Sequence, residues 1–144
     1  YYDVSWCMNV GEKIDPEYEK WFQIVYDARE DARQFIQARL DAGEKVRGYE
    51  VDRRLKERFE QLGCAQYLMH RTGHNIGHRC HGIGANLDDY ETHDDRCLLP
   101  GTMFSIEPGL YTDKYGVRLE YDVHITSEGE TKVYGPVQDE ILVI

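Results

Sequence analysis

His70-Arg71-Thr72-Gly73-His74-Asn75-Ile76-Gly77-His78-Arg79-Cys80-His81 decides how the rest of the chain is read. His70, His74 and His78 recur at a spacing of four, which on a helix would gather them on one face as zinc ligands. Gly73 and Gly77 interrupt that helix, each at about 1 kcal/mol relative to Ala. Glycine also lets backbone approach a ligand closely, so the stretch reads as loop and short strand. Four histidines in twelve residues exceed ordinary usage. Taken alone they leave two readings open: a metal or substrate site, or side chains that are merely exposed or hydrogen-bonded.

Upstream, the pattern is helical. Asp15 is a helix cap with Pro16 at the first helical position. Tyr18, Trp21, Phe22, Val25, Ala28, Ala32, Phe35 and Ile36 then recur at three and four, and Gly43 lies past the end. Val51, Leu55, Phe59 and Leu62 mark a second helix stopped by Gly63. Asp52, Arg53, Arg54, Lys56, Glu57 and Arg58 read as its wet face. Residues 1–10 alternate as a strand, with Tyr2, Val4, Trp6 and Met8 against Asp3, Ser5 and Cys7. Downstream, residues 65–101 show little periodicity. A strand is expected over Thr102–Glu107, ended by Pro108-Gly109. Val117, Leu119, Tyr121, Val123 and Ile125 alternate with Arg118, Glu120, Asp122 and His124, a half-buried strand with one polar face. Ile141–Ile144 reads as a closing strand. Two helices followed by antiparallel-type strands make an α+β fold.

Composition narrows the function. The 144 residues carry 17 Lys+Arg against 27 Asp+Glu, a net charge of −10, which disfavours nucleic acid as a partner. No apolar run approaches the roughly 20 residues that cross a bilayer, so no membrane partner is expected. Cys7, Cys64, Cys80 and Cys97 form no CxxC pair and read as reduced thiols in a cytoplasmic protein. A zinc site from Cys80, His78 and His81 is conceivable, as a minor reading. The chain opens without Met on Tyr1-Tyr2-Asp3-Val4, as though inside a strand, so a fragment or a processed chain is expected.

Carboxylates complete the candidate chemistry. Glu107 ends a strand, Glu120 lies on a polar strand face, and Asp3 has a similar position on its own strand. An imidazole with several carboxylates is an oxygen-rich donor set suited to Mn, Fe, Co or Zn, although polar residues alternating along a strand also commonly face solvent.

HRTGHNIGHRCHG (70–82), FSIEPGLY (104–111) and GVRLEYDVHIT (116–126) together resemble the signature blocks of the pita-bread metallopeptidases: prolidases, Xaa-Pro aminopeptidases and methionine aminopeptidases. The resemblance covers essentially the whole chain, residues 1–144, and implies the C-terminal portion of that α+β fold. It implies that Asp3, His74, Glu107 and Glu120 bind two divalent ions, Mn foremost and Co, Zn or Fe otherwise, with Asp3 and Glu120 bridging. It implies that His81 hydrogen-bonds the substrate carbonyl, that His70 faces substrate, and that Arg118 supports the site from behind the ligands. Glu107 would shuttle the proton of the metal-activated hydroxide to the leaving nitrogen. His78, His93 and His124 have no counterpart and are expected to be structural or solvent-facing.

EPGLY and GVRLE resemble the prolidase and Xaa-Pro aminopeptidase branch, which implies cleavage of short peptides with proline after the first residue. A catalytically silent domain used for partner binding, or methionine aminopeptidase specificity, are the alternatives. The sequence departs from the family in four places. The first metal-binding aspartate has no counterpart, so this chain alone is expected to be inactive, and to rely on a homo-oligomer or a completing N-terminal chain. Val4-Ser5-Trp6-Cys7 replaces a Thr-Arg-Thr pattern, Gly82 stands where many relatives have Glu after the histidine, and Ala85–Asp89 replaces a shorter Pro-containing turn.

Overall fold

A computed structural model describes residues 2–144. Helix α1 (Pro16–Asp41) starts where the Asp15 carboxylate accepts the Glu17 N–H at 2.9 Å, and Gly43 takes a φ of 70° just past its end. It buries Tyr18, Phe22, Val25, Ala28, Ala32 and Ile36. Arg29 is buried on the same face, where its guanidinium donates to the Gln138 carbonyl (3.1 Å) and lies over the Tyr121 ring. Helix α2 (Gly48–Gln61) buries Val51, Leu55 and Phe59.

Two expectations for α2 fail. Leu62 is the C-cap and half-exposed, outside the buried stripe. Asp52 is buried, not wet: its carboxylate accepts the Thr72 N–H (2.8 Å), the Thr72 hydroxyl (2.6 Å) and the Asp89 N–H (2.6 Å).

The strands are short. β1 (Met8–Asn9) pairs in parallel with β8 (Leu142–Val143). An antiparallel sheet runs in the order β2 (Asn75–Ile76), β3 (Met103–Ile106), β6 (Tyr121–Ile125), β7 (Thr131–Val133). β4 (Gly109–Tyr111) and β5 (Gly116–Arg118) form a separate hairpin. The His-rich stretch is indeed loop and short strand. Tyr1 lies outside the described residues, and over residues 2–10 the expected strand contracts to Met8–Asn9: the Asp3 N–H goes to the Asp122 side chain (2.9 Å), and the Ser5 carbonyl accepts the Glu120 N–H (3.1 Å). Its faces are also inverted relative to hydrophobicity, for Tyr2, Val4, Trp6 and Met8 are exposed while Cys7 is buried.

The continuous strand expected over 117–125 is two strands. The chain changes partners at Leu119-Glu120, from β4 to β3 and β7. Its polar face is only partly solvated: Arg118 is exposed, but Glu120 and Asp122 are both buried. β7 and the parallel β1–β8 pair were not anticipated.

Candidate metal centre

Four separate segments bring donors to one place. His74 precedes β2, and its backbone is clamped to β3: its N–H donates to the Ser105 hydroxyl (3.0 Å), and its carbonyl accepts the Ser105 N–H (2.9 Å). The Ser105 hydroxyl in turn donates to Glu107 Oε1 (3.2 Å). Glu107 lies just past β3, its N–H held by the Thr72 carbonyl at 2.7 Å. Glu120 occupies the break between β5 and β6, where the Ser5 hydroxyl donates to Oε2 at 2.6 Å. Asp3 hangs from Asp122 on β6.

All seven residues expected at the site line one cavity of about 370 Å³: Asp3, His70, His74, His81, Glu107, Arg118 and Glu120, joined by Arg71 and Glu91. His74 Nε2 lies 3.3 Å from Glu107 Oε1 and 3.5 Å from Asp3 Oδ2. Donor atoms of Asp3, His74 and Glu120 all lie within 4.8 Å of one another. Arg118 Nη1 is 3.8 Å from Glu107 Oε2, and its Nε donates to the Ser5 hydroxyl at 3.0 Å. Arg118 thus reaches Glu107 directly and Glu120 through Ser5.

The electrostatics favour a cation. Burial, reinforced by the charges of Glu107 and Asp3, pushes the Glu120 carboxyl up to about 7. Burial likewise raises Asp122 to about 6 and raises Glu107. Like charges this close resist joint ionisation unless a positive charge compensates them. Asp122 Oδ1 is buried with no partner among the described residues, a cost a nearby cation would relieve. Burial lowers the His74 pKa and keeps the imidazole neutral. Its Nδ1 faces the Asn75 carbonyl at 3.3 Å, which assigns the proton to Nδ1 and leaves the Nε2 lone pair for a ligand. One imidazole lone pair with converging carboxylates fits a hard or borderline divalent ion.

Around this centre, His70 Nδ1 lies 2.7 Å from the Arg71 carbonyl and Nε2 lies 2.8 Å from the Tyr111 hydroxyl. Nδ1 therefore donates and Nε2 accepts from Tyr111. His81 is exposed, its ring 4.1 Å from that of His74. His78 is exposed. His93 pairs with Asp89 (2.6 Å) and stacks on Tyr49, and His124 is partly buried on β6. None of these three lines the cavity. Sequence reasoning missed Ser5 and Ser105, and it considered Cys80 only as a zinc ligand beside His78 and His81. Ser5 and Asp122 each stand two residues from a site carboxylate, a same-face spacing that points to them. Cys80 donates its thiol proton to Asp3 Oδ2 at 2.8 Å, and that bond pushes the thiol up to about 11. Among the described residues no helix is long and apolar enough to cross a membrane.

An α+β fold that closes around one imidazole and several carboxylates is the architecture of the pita-bread metallopeptidases. The chain belongs to metallopeptidase family M24, whose model matches residues 1–127. It is 36% identical over 90 residues to "Probable dipeptidase PepE" of Mycobacterium tuberculosis, a match covering 61% of this chain and 23% of that protein. Its fold superimposes on a dipeptidase from Pyrococcus horikoshii OT3 with a TM-score of 0.82 at 28% identity, covering 99% of this chain and 37% of that one. It superimposes equally on the Xaa-Pro dipeptidase from Bacillus anthracis, TM-score 0.82 and 28% identity, over 99% and 38% of the two chains. The chain thus spans about a quarter to two-fifths of the length of these relatives, as a C-terminal portion of the fold would.

Proposed function

We propose that residues 1–144 form the metal-binding portion of a cytoplasmic dipeptidase or aminopeptidase that hydrolyses the bond before proline. The observation that carries the reading is the convergence of Asp3, His74 and Glu120 donor atoms within 4.8 Å, with Glu107 3.3 Å from His74 Nε2. In this proposal those four side chains would hold two divalent ions, Mn foremost, with Asp3 and Glu120 close enough to His74 to take part. When bound, the pair supplies Lewis acidity at the scissile carbonyl and a nucleophile from water at neutral pH.

The remaining work falls to the protein. Glu107, raised by burial, can take a proton at Oε and return it to the leaving nitrogen. His81, exposed at the cavity, would donate to the carbonyl oxygen where charge develops. His70 is fixed by Arg71 and Tyr111 as one wall of the substrate cavity. Arg118 positions both glutamates, one directly and one through Ser5. The dipeptidase and Xaa-Pro dipeptidase among the similar structures support a short peptide with proline second as the substrate. The four free cysteines, two of them buried, support a reducing compartment.

Calorimetric titration of the chain with Mn²⁺ tests the centre. Binding is expected, and Glu120→Gln should weaken it by about tenfold or more. The 144-residue chain alone is expected to show little turnover and to self-associate in sedimentation. A longer gene product that carries these residues should release the residue before proline from short peptides. Absence of Mn²⁺ binding would favour a partner-binding domain, and release of initiator Met alone would move the substrate to the methionine aminopeptidase type.

A further inference from the structure

The loop between Gly77 and Gly84 places a thiol on the rim of the carboxylate centre. Donor atoms of His74, Cys80 and His81 lie within 4.8 Å of one another, and Cys80 Sγ is 2.8 Å from Asp3 Oδ2, which is itself 3.5 Å from His74 Nε2. Thus His74 and Asp3 face two donor sets at once. Glu107 and Glu120 offer oxygen donors; Cys80 and His81 offer soft or borderline ones.

We propose that His74, Cys80 and His81, with Asp3 as a fourth donor, form a tetrahedral site for a thiophilic divalent ion such as Zn²⁺, overlapping the hard-metal centre and competing with it. The inference rests on the reading that His74 and Asp3 face a divalent ion. Thiolate and imidazole donors select Zn²⁺ over Mn²⁺, whereas carboxylates suit Mn²⁺. A tetrahedral zinc with Cys and His ligands spaces its donors roughly 3.3–3.8 Å apart, from bond lengths of about 2.0–2.3 Å. The thiol and Asp3 start closer than that, and the donor atoms of the triad all lie within 4.8 Å of one another.

The needed adjustment is small and falls where the chain can make it. His81 is exposed and Cys80 partly so, while the loop bearing them is fixed at its base: Asn75 accepts the Gly82 N–H on its carbonyl (2.7 Å) and the Gly84 N–H on Oδ1 (3.0 Å). Coordination replaces the Cys80 S–H bond by a metal–sulfur bond, and the proton leaves to solvent.

The function follows from the overlap. His81 is the donor assigned above to the substrate carbonyl, and an ion that holds it removes it from that role. Zinc at this site therefore shuts the centre that manganese opens, and the ratio of the two ions sets how much of the protein is competent.

The experiment is a Co²⁺ titration of the full chain followed by absorption, then a Zn²⁺ titration with and without Mn²⁺. The expected result is a near-ultraviolet sulfur-to-cobalt charge-transfer band together with the visible ligand-field bands. Cys80→Ser and Cys80→Ala should both abolish the charge-transfer band and weaken Zn²⁺ binding by about 10- to 100-fold or more, while Mn²⁺ binding is retained. Cys97→Ser, removing the other partly exposed thiol, should keep the band. Ligand-field bands without the charge-transfer band, or Zn²⁺ binding indifferent to Cys80, would overturn the thiolate site and leave the carboxylate centre standing. Absence of any cobalt signal would overturn both.

Discussion

At the scale of single residues, Gly82 shows how one departure from the family pattern is compelled by its neighbours. A Cβ there would stand 2.2 Å from Asn75 Oδ1 and 3.1 Å from the Gly77 nitrogen. Asn75 cannot retreat: its Nδ2 donates to the Met103 carbonyl (3.0 Å), its Oδ1 holds Gly84, and its N–H donates to Asn86 Oδ1 (2.9 Å). Gly82→Ala should therefore cost about 1–3 kcal/mol of stability and loosen the loop that carries Cys80 and His81. Gly77→Ala meets nothing closer than 3.7 Å and should stay within about 0.5 kcal/mol. Urea denaturation of the two variants checks the contrast, and equal stabilities would refute the clamp. The resemblance flagged Gly82 as unusual, but its cause is a contact across the loop and has no trace in local pattern. His74, by contrast, stood out in the sequence because its glycine neighbours ruled out a helix, and one of them is required by the fold. A Cβ on Gly73 would lie 2.0 Å from the Ser105 carbonyl oxygen, so the close approach that clamps His74 to β3 depends on it.

At the scale of elements, α2 is linked to the proposed metal centre through Asp52. Asp52 holds Thr72 by two hydrogen bonds, and the Thr72 carbonyl holds the Glu107 N–H. Asp52→Ala strands buried donors, each at about 1–3 kcal/mol. The expected outcome is a loss of about 2–3 kcal/mol in thermal or urea unfolding together with weaker Mn²⁺ binding by calorimetry. Unchanged metal affinity in the folded variant would break the link between α2 and Glu107. In sequence Asp52 is one charge among Arg53, Arg54, Lys56 and Glu57, and nothing local separates it from them. The two helices were legible because Asp15-Pro16 and a three-four repeat are local signals. The strands were legible only in part. Most are two to four residues long and change partners, as at Leu119-Glu120, so pairing rather than propensity sets their ends. Alternation did assign Arg118, Glu120 and Asp122 to one face, yet it could not tell that Glu120 and Asp122 are buried around a site, because a polar face reads the same in water and in a cleft. The same ambiguity inverted the first ten residues, where Asp3, Ser5 and Cys7 turn inward and Tyr2, Val4, Trp6 and Met8 outward.

At the scale of the whole molecule, the α+β class and the gathering of the seven candidate residues around one cavity were both legible, the first from periodicity and the second from three signature blocks taken together. The parallel closure of β1 on β8 was not, since it joins residues 8 and 142 across nearly the full chain. That closure has a mechanical meaning. Two parallel strands, one near each end of the described chain, are loaded in shear when the ends are drawn apart, so their hydrogen bonds (Gly11 N–H to the Ile144 carbonyl at 2.7 Å, Ile144 N–H to the Asn9 carbonyl at 3.0 Å) resist together rather than one by one. Asp3 lies between the leading end and this clasp, which places a proposed metal donor directly in the path of the force. In optical-tweezer pulling from Tyr2 and Ile144, Mn²⁺ should raise the rupture force, whereas handles on α1 at Glu17 and Asp41 should show no such gain; forced rupture reports the unfolding barrier along the pulled direction. Equal rupture forces with and without Mn²⁺ at the terminal handles would show that Asp3 bears no load. A chain tethered at both ends would, by this geometry, register the binding of a divalent ion as tension.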